Sequence, residues 1–509
     1  MTLKLLSCTA GHASALGQIS SKIIHISTLM DSPASSEKSL HQTMLPIDFI
    51  VIGGGTSGLC SAISLSRIGH RVTLLEQSDD FEETTGAGGV NIAPNMARLF
   101  SRWGLTDRLH EFSVSSHLLH IHRYETGSLI GKHLWQEEVL KELGGEFVSL
   151  HYGDLRRVLK DLASEAGAVI RSSARVTSIS IGEQGQRPFV TLSSGETLEA
   201  DVLVGADGIS GISRQSVVGQ VERPTFTGLA TYNAVISEDQ IRQHPELVTL
   251  FQEEGSFFTW FGHNKSVLTY PLKTRKRGKC IALTMYLPLD DTPPTGWSQS
   301  ISPEDVVRQL GECDPRILQL ISLATSVSYV PIVQMPELAS WIDQNNRLVL
   351  VGDAAHPVFP GATQATAMGV GDAAALGQVF RHLHHIDQIK SLLKGFEELR
   401  QERVGFVAAQ EWDYFSITTM PDGEMQTMRD ERLRKRHALG LNAFDAEDPD
   451  SGDVLNQWEI ARKIFGYDAE DEANEWWTKW GSLQERAIFK NITAGWEVEV
   501  KHEEESALE

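Results

Sequence analysis

Three apolar strands that each run straight into a glycine turn predict an α/β fold built on a Rossmann-like dinucleotide-binding domain. They are Asp48-Phe-Ile-Val-Ile-Gly53, Asp201-Val-Leu-Val-Gly205 and Arg347-Leu-Val-Leu-Val-Gly352. Between the second and third, residues 225–290 alternate apolar and polar positions with many aromatics, the pattern of an inserted antiparallel sheet with one face covering a pocket. Beyond residue 421 the chain turns to charged, tryptophan-containing segments that read as a helical extension packed on the body through its tryptophans. The expected division is a disordered leader over 1–44, a dinucleotide domain over 45–215 and 336–420, a sheet domain over 216–335, and the extension over 421–509 with a disordered acidic end.

The first turn carries the most chemistry. Gly53 permits the tight exit from the strand, Gly55 lets backbone approach a pyrophosphate, and Gly58 lets the helix starting near Thr56 pack on the strand. The helix N-terminus then offers free amides and its dipole to the phosphates. Glu76 closes a second apolar strand about 20 residues further on, where a carboxylate accepts ribose hydroxyls. Strand, glycine triplet, helix, strand and acid in that order point to an adenine dinucleotide.

Composition bounds the partners. The 509 residues suit two or three domains, and 41% apolar residues suffice to bury their cores. A formal charge of −22 gives no electrostatic reason to bind nucleic acid or an anionic membrane, and the basic run Lys273–Lys279 reads as a solvated hairpin turn. No apolar run approaches the roughly 18 residues of a spanning helix, so no stable membrane insertion is expected. Cys8, Cys60, Cys280 and Cys313 are unclustered, which suggests neither a disulfide framework nor a metal site and suits a reducing, cytoplasmic setting. Residues 1–44 lack arginine and resemble neither a secretory signal nor a transit peptide, and Met30 and Met44 are further candidate starts. A monomer or homodimer is expected.

Further candidates follow in chain order. The loop Gly86–Asn95, Gly89 included, allows a flat ligand to come close, and Pro94-Asn95 opens a helix over Met96–Trp103. An acid-capped helix from Asp154 carries Arg156 and Arg157 in its first turn. Strands over Ala174–Ile181, Phe189–Leu192 and Glu199–Val204 flank a hairpin turn at Ser193-Ser-Gly-Glu196. Asp207, in the Gly205-Ala-Asp207-Gly208 turn, is expected to meet backbone amides or a ligand's hydroxyls, since an unpaired buried carboxylate is costly. After Gly352-Asp353-Ala-Ala-His356-Pro357 and Pro360, the small residues of Gly361–Gly371 let a planar ring rest against the amides of a helix start.

Together these motifs, with Asp372-Ala-Ala-Ala-Leu and the helix Phe396-Glu-Glu-Leu-Arg400-Gln-Glu-Arg403, resemble the group A flavoprotein aromatic hydroxylases, in particular fungal salicylate-hydroxylase-like monooxygenases. The resemblance covers residues 46–415. It implies FAD as cofactor, NADPH or NADH as electron donor, O2 as co-substrate and a small aromatic or phenolic-acid substrate in fungal secondary metabolism. It implies that Glu76 binds the adenosine ribose, that Asp207 lies near the pyrophosphate and also serves the nicotinamide donor, and that Asp353 holds the ribityl chain. The helix start after Pro360 would face the flavin pyrimidine, where its dipole favours the reduced anion. This chain departs from the family at Ala365 and Thr366, where Gly and Ala are usual, at Tyr152, where an arginine is usual and which leaves Arg156 or Arg157 to take the flavin contact, and at Asn233, where relatives often carry arginine.

The implied reaction is ring hydroxylation through a flavin C4a-hydroperoxide, with or without decarboxylation. A base beside the ring would activate a phenol, with His263 or Tyr232 as candidates, and the aromatics around Trp260 and Tyr270 would exclude water. No second strand-Gly-x-Gly-x-x-Gly-helix unit and no Trp-x-Trp-x-Ile-Pro segment occurs, which weighs against Baeyer-Villiger enzymes and flavin halogenases. The competing readings are an FAD oxidase or dehydrogenase that inserts no oxygen, and a catalytically impaired flavin-binding protein.

Overall fold

The computed structural model describes residues 42–81, 88–182, 186–251, 255–289, 299–444 and 453–483. The leader up to residue 41, Gly86 and Ala87 of the glycine loop, Trp496 and the acidic end lie outside the described residues. Thr43, read as leader from the sequence, is packed: its amide donates to the Ile68 carbonyl at 2.8 Å and its hydroxyl to the Leu383 carbonyl at 3.2 Å.

Five parallel strands form the central sheet in the order Leu348–Leu350, Val202–Gly205, Asp48–Ile52, Arg71–Leu75, Val169–Arg171. The side chains of Leu348–Leu350, Val202–Gly205 and Asp48–Ile52 are almost all buried, which is why these three read as near-continuous apolar runs, whereas the edge strand Val169–Arg171 is partly exposed. The helices Thr56–Arg67 and Ala365–Phe380 cross closely on one face. Close approach requires missing side chains: a Cβ on Gly369 would stand 2.1 Å from Ser57 Oγ, and one on Gly377 2.2 Å from Ser64 Oγ. The strands Val176–Ser180, Phe189–Leu192 and Thr197–Glu199 form a separate small sheet around the expected hairpin turn.

An eight-stranded sheet forms the second layer. Its central strands Thr225–Ser237, Gly278–Pro288, Lys265–Thr274 and Ser256–Gly262 are antiparallel, and Lys273–Lys279 is the hairpin turn expected, with Thr274 opposite Gly278. Leu118–Arg123 and Leu129–Leu134 extend this sheet from upstream of the expected insert, the first pairing parallel to Ser256–Gly262. On the outer face, Tyr232, Trp260, Val267 and Leu283 pack beneath the helices Pro303–Leu310 and Pro315–Leu323. Tyr270, Leu272, Cys280, Ala282 and Tyr286 lie on the inner face, turned toward the dinucleotide domain.

The extension docks through part of its tryptophan set. Trp476, on the helix Ala469–Trp476, is buried against Gly395, where a Cβ would stand 2.1 Å away. Trp477 stacks on His382 at 4.2 Å, whereas Trp480 is 61% exposed. Asp468 organises the joint, capping the Glu470 and Asp471 amides while pairing with Arg98 and Arg102. No helix among the described residues is long and apolar enough to cross a membrane.

Asp468→Ala removes a helix cap and leaves two arginines without their shared carboxylate, which should cost about 2 kcal/mol. Limited proteolysis should then cleave after residue 440 faster than in the parent while leaving the body intact.

Candidate active site

The glycines of the first turn divide into two physical roles. Gly53 has φ +106°, and a Cβ there would lie 2.4 Å from the Ala206 carbonyl oxygen; a Cβ on Gly58 would lie 1.9 Å from the Gly53 carbonyl oxygen. Both are demanded by the fold itself. Gly55 is different: the nearest atom to its missing side chain is the Tyr152 hydroxyl at 3.9 Å, so its surface opens onto a trough. The helix that follows has no side-chain cap and no acid in its first turn, and the Thr56 hydroxyl is buried without a partner among the described residues. These are the features of an anion-binding site.

Glu76 closes one side of this trough. Its carboxylate accepts the Gly54 amide at 2.6 Å and the Ser78 amide at 2.9 Å. Arg156 reaches the Gly54 carbonyl at 3.1 Å, lies 3.7 Å from Glu76 and covers the Phe81 ring. Arg157 instead lies over Phe112 beside Asp161, so only Arg156 belongs to the turn. His151, rather than Asp154, caps this helix, through Nδ1 to the Gly153 amide.

The second turn approaches the first through Ala206. Asp207 takes the Ser213 amide at 3.0 Å with Oδ2, while Oδ1 and the Ser213 hydroxyl are buried without partners. Burial raises the Asp207 carboxyl, opposed first by the hydrogen bond from the Ser213 amide. An unpartnered carboxylate oxygen here fits a ligand's hydroxyl.

The third turn is held by a buried network. Asp372 accepts the Gly352 amide at 2.9 Å, His356 Nε2 at 2.5 Å and Arg400 Nε at 2.8 Å. Burial alone would raise its carboxyl, but His356 and Arg400 hold it down at about 2. Arg214 fixes the same turn from the other side, donating to the carbonyls of Ala354 and Ala355. Asp353, by contrast, has no hydrogen bond to the described residues. Burial pushes its carboxyl up to about 6, against the pull of His356 and with the push of Asp372. An acid in this state gains from hydroxyl donors.

Pro360 and the helix start follow. The Pro360 carbonyl accepts the Thr231 hydroxyl at 2.9 Å, which ties this segment to the inner face of the large sheet. Gln364 is fully buried and pairs with Asn95 at 2.9 Å, and Glu411 accepts the amides of Thr363 at 3.0 Å and Gln364 at 3.1 Å. Ala365 and Thr366 are half-buried at the first helical turn, where the Thr366 and Ala367 amides find no acceptor among the described residues. Glu411 carries no motif; its only signal in the sequence is an acid within a helical stretch rich in apolar residues.

Two of the three residues expected to act in catalysis stand elsewhere. Strand alternation turns Tyr232 to the outer face, where its hydroxyl donates to Gln309 at 2.9 Å and its ring stacks on Tyr329. His263 occupies the turn after Ser256–Gly262, half-exposed, with Nδ1 accepting the Asp422 amide at 2.9 Å. Tyr270 does face inward, and burial raises its phenol well beyond the ordinary range, so it stays protonated. Gly89 makes room for Tyr270, since a Cβ would lie 2.5 Å from that ring, rather than opening onto a ligand.

Comparison with known proteins places the chain in a family. A family model described as FAD binding domain matches residues 47–410. The FAD-dependent monooxygenase OpS4 of Beauveria bassiana (strain ARSEF 2860) is 27% identical over 390 residues, 76% of this chain and 89% of that protein. Among solved structures, CtdE in complex with FAD and substrate 4 aligns with a TM-score of 0.71 at 20% identity, covering 86% of this chain and 100% of that one. A salicylate hydroxylase substrate complex aligns with a TM-score of 0.65 at 19% identity, over 84% and 97%. The architecture is the aromatic-hydroxylase fold. The chain belongs to the FAD-binding-domain family, as a flavin monooxygenase and oxidoreductase.

Gly55→Ala and Gly58→Ala separate ligand space from packing. Gly58→Ala should lower the thermal stability of the apo-protein by about 2 kcal/mol or more through overpacking. Gly55→Ala should unfold within about 0.5 kcal/mol of the parent and bind FAD at least tenfold more weakly, read by flavin fluorescence titration.

Glu411 yields a pH prediction. Burial pushes its carboxyl from the ordinary 4.5 up to about 7, against the two amide bonds. The folded state therefore holds the proton more tightly, and this contribution is present below the unfolded value and lost as pH rises through about 7. In the apo-protein, Glu411→Gln should flatten the decline in stability between about pH 5 and pH 8, by on the order of 3 kcal/mol.

Proposed function

We propose that this enzyme uses NADPH or NADH and O2 to hydroxylate a small aromatic compound at the inner face of its large sheet. The observation that carries the reading is the convergence of three separated turns on one trough. Each presents an unused polar group there: the open backbone at Gly55, Asp207 Oδ1 and the Asp353 carboxylate. FAD, when bound, supplies two-electron reduction by the nicotinamide and activation of dioxygen. The net balance leaves one oxygen atom in the ring, the other in water and the donor oxidised by two electrons.

The protein's part is placement and shielding. Glu76 accepts the adenosine ribose hydroxyls, with Arg156 holding the turn beside it. Asp207 meets the ligand near the pyrophosphate, and Asp353 accepts the ribityl hydroxyls. The Thr366 and Ala367 amides would hold the electron-rich edge of the flavin, while Glu411 occupies the two amides just before them. Tyr270, Tyr286 and Phe359 exclude water from the reacting face. With Tyr232 on the outer face and His263 at an exposed turn, Tyr270 serves as a neutral donor that orients the substrate rather than as a base. The buried, unpaired thiols Cys60 and Cys280 suit the cytoplasm.

The FAD-loaded enzyme should consume oxygen with NADPH or NADH, faster when an aromatic substrate is present, and the product should gain one oxygen atom by mass. Oxidation of the substrate without that gain would identify an oxidase or dehydrogenase instead. Failure of either nicotinamide to reduce the flavin, with any aromatic present, would mark an impaired flavin-binding protein.

A further inference from the structure

We propose that the substrate is an uncharged aromatic, recognised through a hydroxyl, carbonyl or amide group by the Asn233–Thr284 pair, and that aromatic carboxylates are rejected. This rests on the monooxygenase reading and narrows its substrate class. The argument begins with strand parity. On the three central strands, the inward positions nearest Pro360 and Gly361 are Thr231, Asn233, Tyr270, Ala282, Thr284 and Tyr286, and none carries a positive charge.

The cations of these strands are engaged elsewhere. Lys265 donates to the carbonyls of Gln309 and Leu310 beneath the outer helices, and Lys273 reaches the Glu111 carbonyl at the hairpin end, opposite Lys279 in the register. His151 lies opposite Gly89, and burial lowers its pKa from the ordinary value, with the hairpin cations Arg277 and Lys276 pushing the same way, which favours the neutral ring. The undescribed internal segments 82–87, 183–185, 252–254, 290–298 and 445–452 contain no Lys, Arg or His at all. An acid does stand nearby: Glu411 lies close enough to Tyr286 to raise its phenol further, after burial.

A polar anchor is nonetheless present. Thr284 Oγ1 donates to Asn233 Oδ1 at 3.0 Å, which fixes the carboxamide, and the Asn233 nitrogen has no hydrogen bond to the described residues; Asn233 is half-buried. The Tyr286 hydroxyl, against Gly361, has no hydrogen bond to the described residues. Two neutral hydrogen-bonding groups on an aromatic wall match a phenol, amide or ketone. A carboxylate in the same place would lose its hydration without a counter-charge, which disfavours its binding steeply. Without a carboxyl group to expel, the reaction is ring hydroxylation without loss of carbon dioxide.

The test uses the FAD-loaded enzyme and matched probes: salicylate against salicylamide, and further hydroxybenzoates and hydroxycinnamates against their amides. Perturbation of the flavin absorbance gives each dissociation constant. At least one amide should bind, tenfold or more tightly than its acid at neutral pH. Asn233→Arg should reverse that order, and Asn233→Leu should weaken the amide at least tenfold with FAD still bound. The proposal is overturned if any acid binds as tightly as its amide, or if no neutral probe binds. Failure of the monooxygenase reading is seen separately, as absent flavin reduction by nicotinamide, and leaves the ratio of affinities measurable.

Discussion

A single buried carboxylate holds the catalytic half of this molecule in place. Asp372 sits inside the helix Ala365–Phe380 and takes the Gly352 amide, His356 and Arg400 at once, so one residue joins a strand end, a turn and two long helices. Arg400 then passes the connection to the extension through the Tyr467 hydroxyl at 3.0 Å. An ion this deep is stable because both of its oxygens accept hydrogen bonds, one of them from the buried Arg400 guanidinium, and removing one partner would leave a buried charge uncompensated. Its carboxyl lies at about 2, below the unfolded value near 4, so the contribution holds above that unfolded value and is lost only as pH falls through about 2. The neighbouring Asp353 can therefore be left without a partner: the turn that presents it is fixed from behind.

The large sheet supplies the opposite wall and divides its labour by parity. One face is a dry core with Trp260, Met285 and Leu287, and the other carries hydroxyls and an amide toward the flavin domain. Because side chains alternate along a strand, shifting Thr225–Ser237 by one residue would exchange Tyr232 for Asn233 and ruin both faces. The Thr231–Pro360 hydrogen bond sets the distance between wall and trough. Helix starts, glycine turns and sheet face thus act as one assembly, though they come from segments far apart in the chain.

Much of this was legible in the sequence because its cause is local. Gly53 and Gly58 are dictated by φ and by close backbone contact, and apolar strands ending in Gly-Asp or Gly-Ala-Asp announce the other two turns. What escaped depends on register or on distant partners. The orientation of Tyr232 needs the strand's parity, which the sequence alone leaves open over a long, largely buried strand. His263 was readable as a turn, since Gly262-His263-Asn264 breaks the alternation and Asn264 adopts φ +52°. The capture of two amides by Glu411, and the parallel pairing of Leu118–Arg123 with Ser256–Gly262, join residues far apart in sequence and leave no local mark.

The central claim is that three separated turns form one flavin cradle, braced by Asp372. Spectrophotometric titration of the apo-protein with FAD tests it most directly, run in parallel on the parent and on Asp372→Asn. The account predicts saturation at one flavin per chain with a shifted flavin spectrum, and at least tenfold weaker binding in the variant. A protein that stays colourless through the titration, or a variant that binds FAD as tightly as the parent, would contradict it.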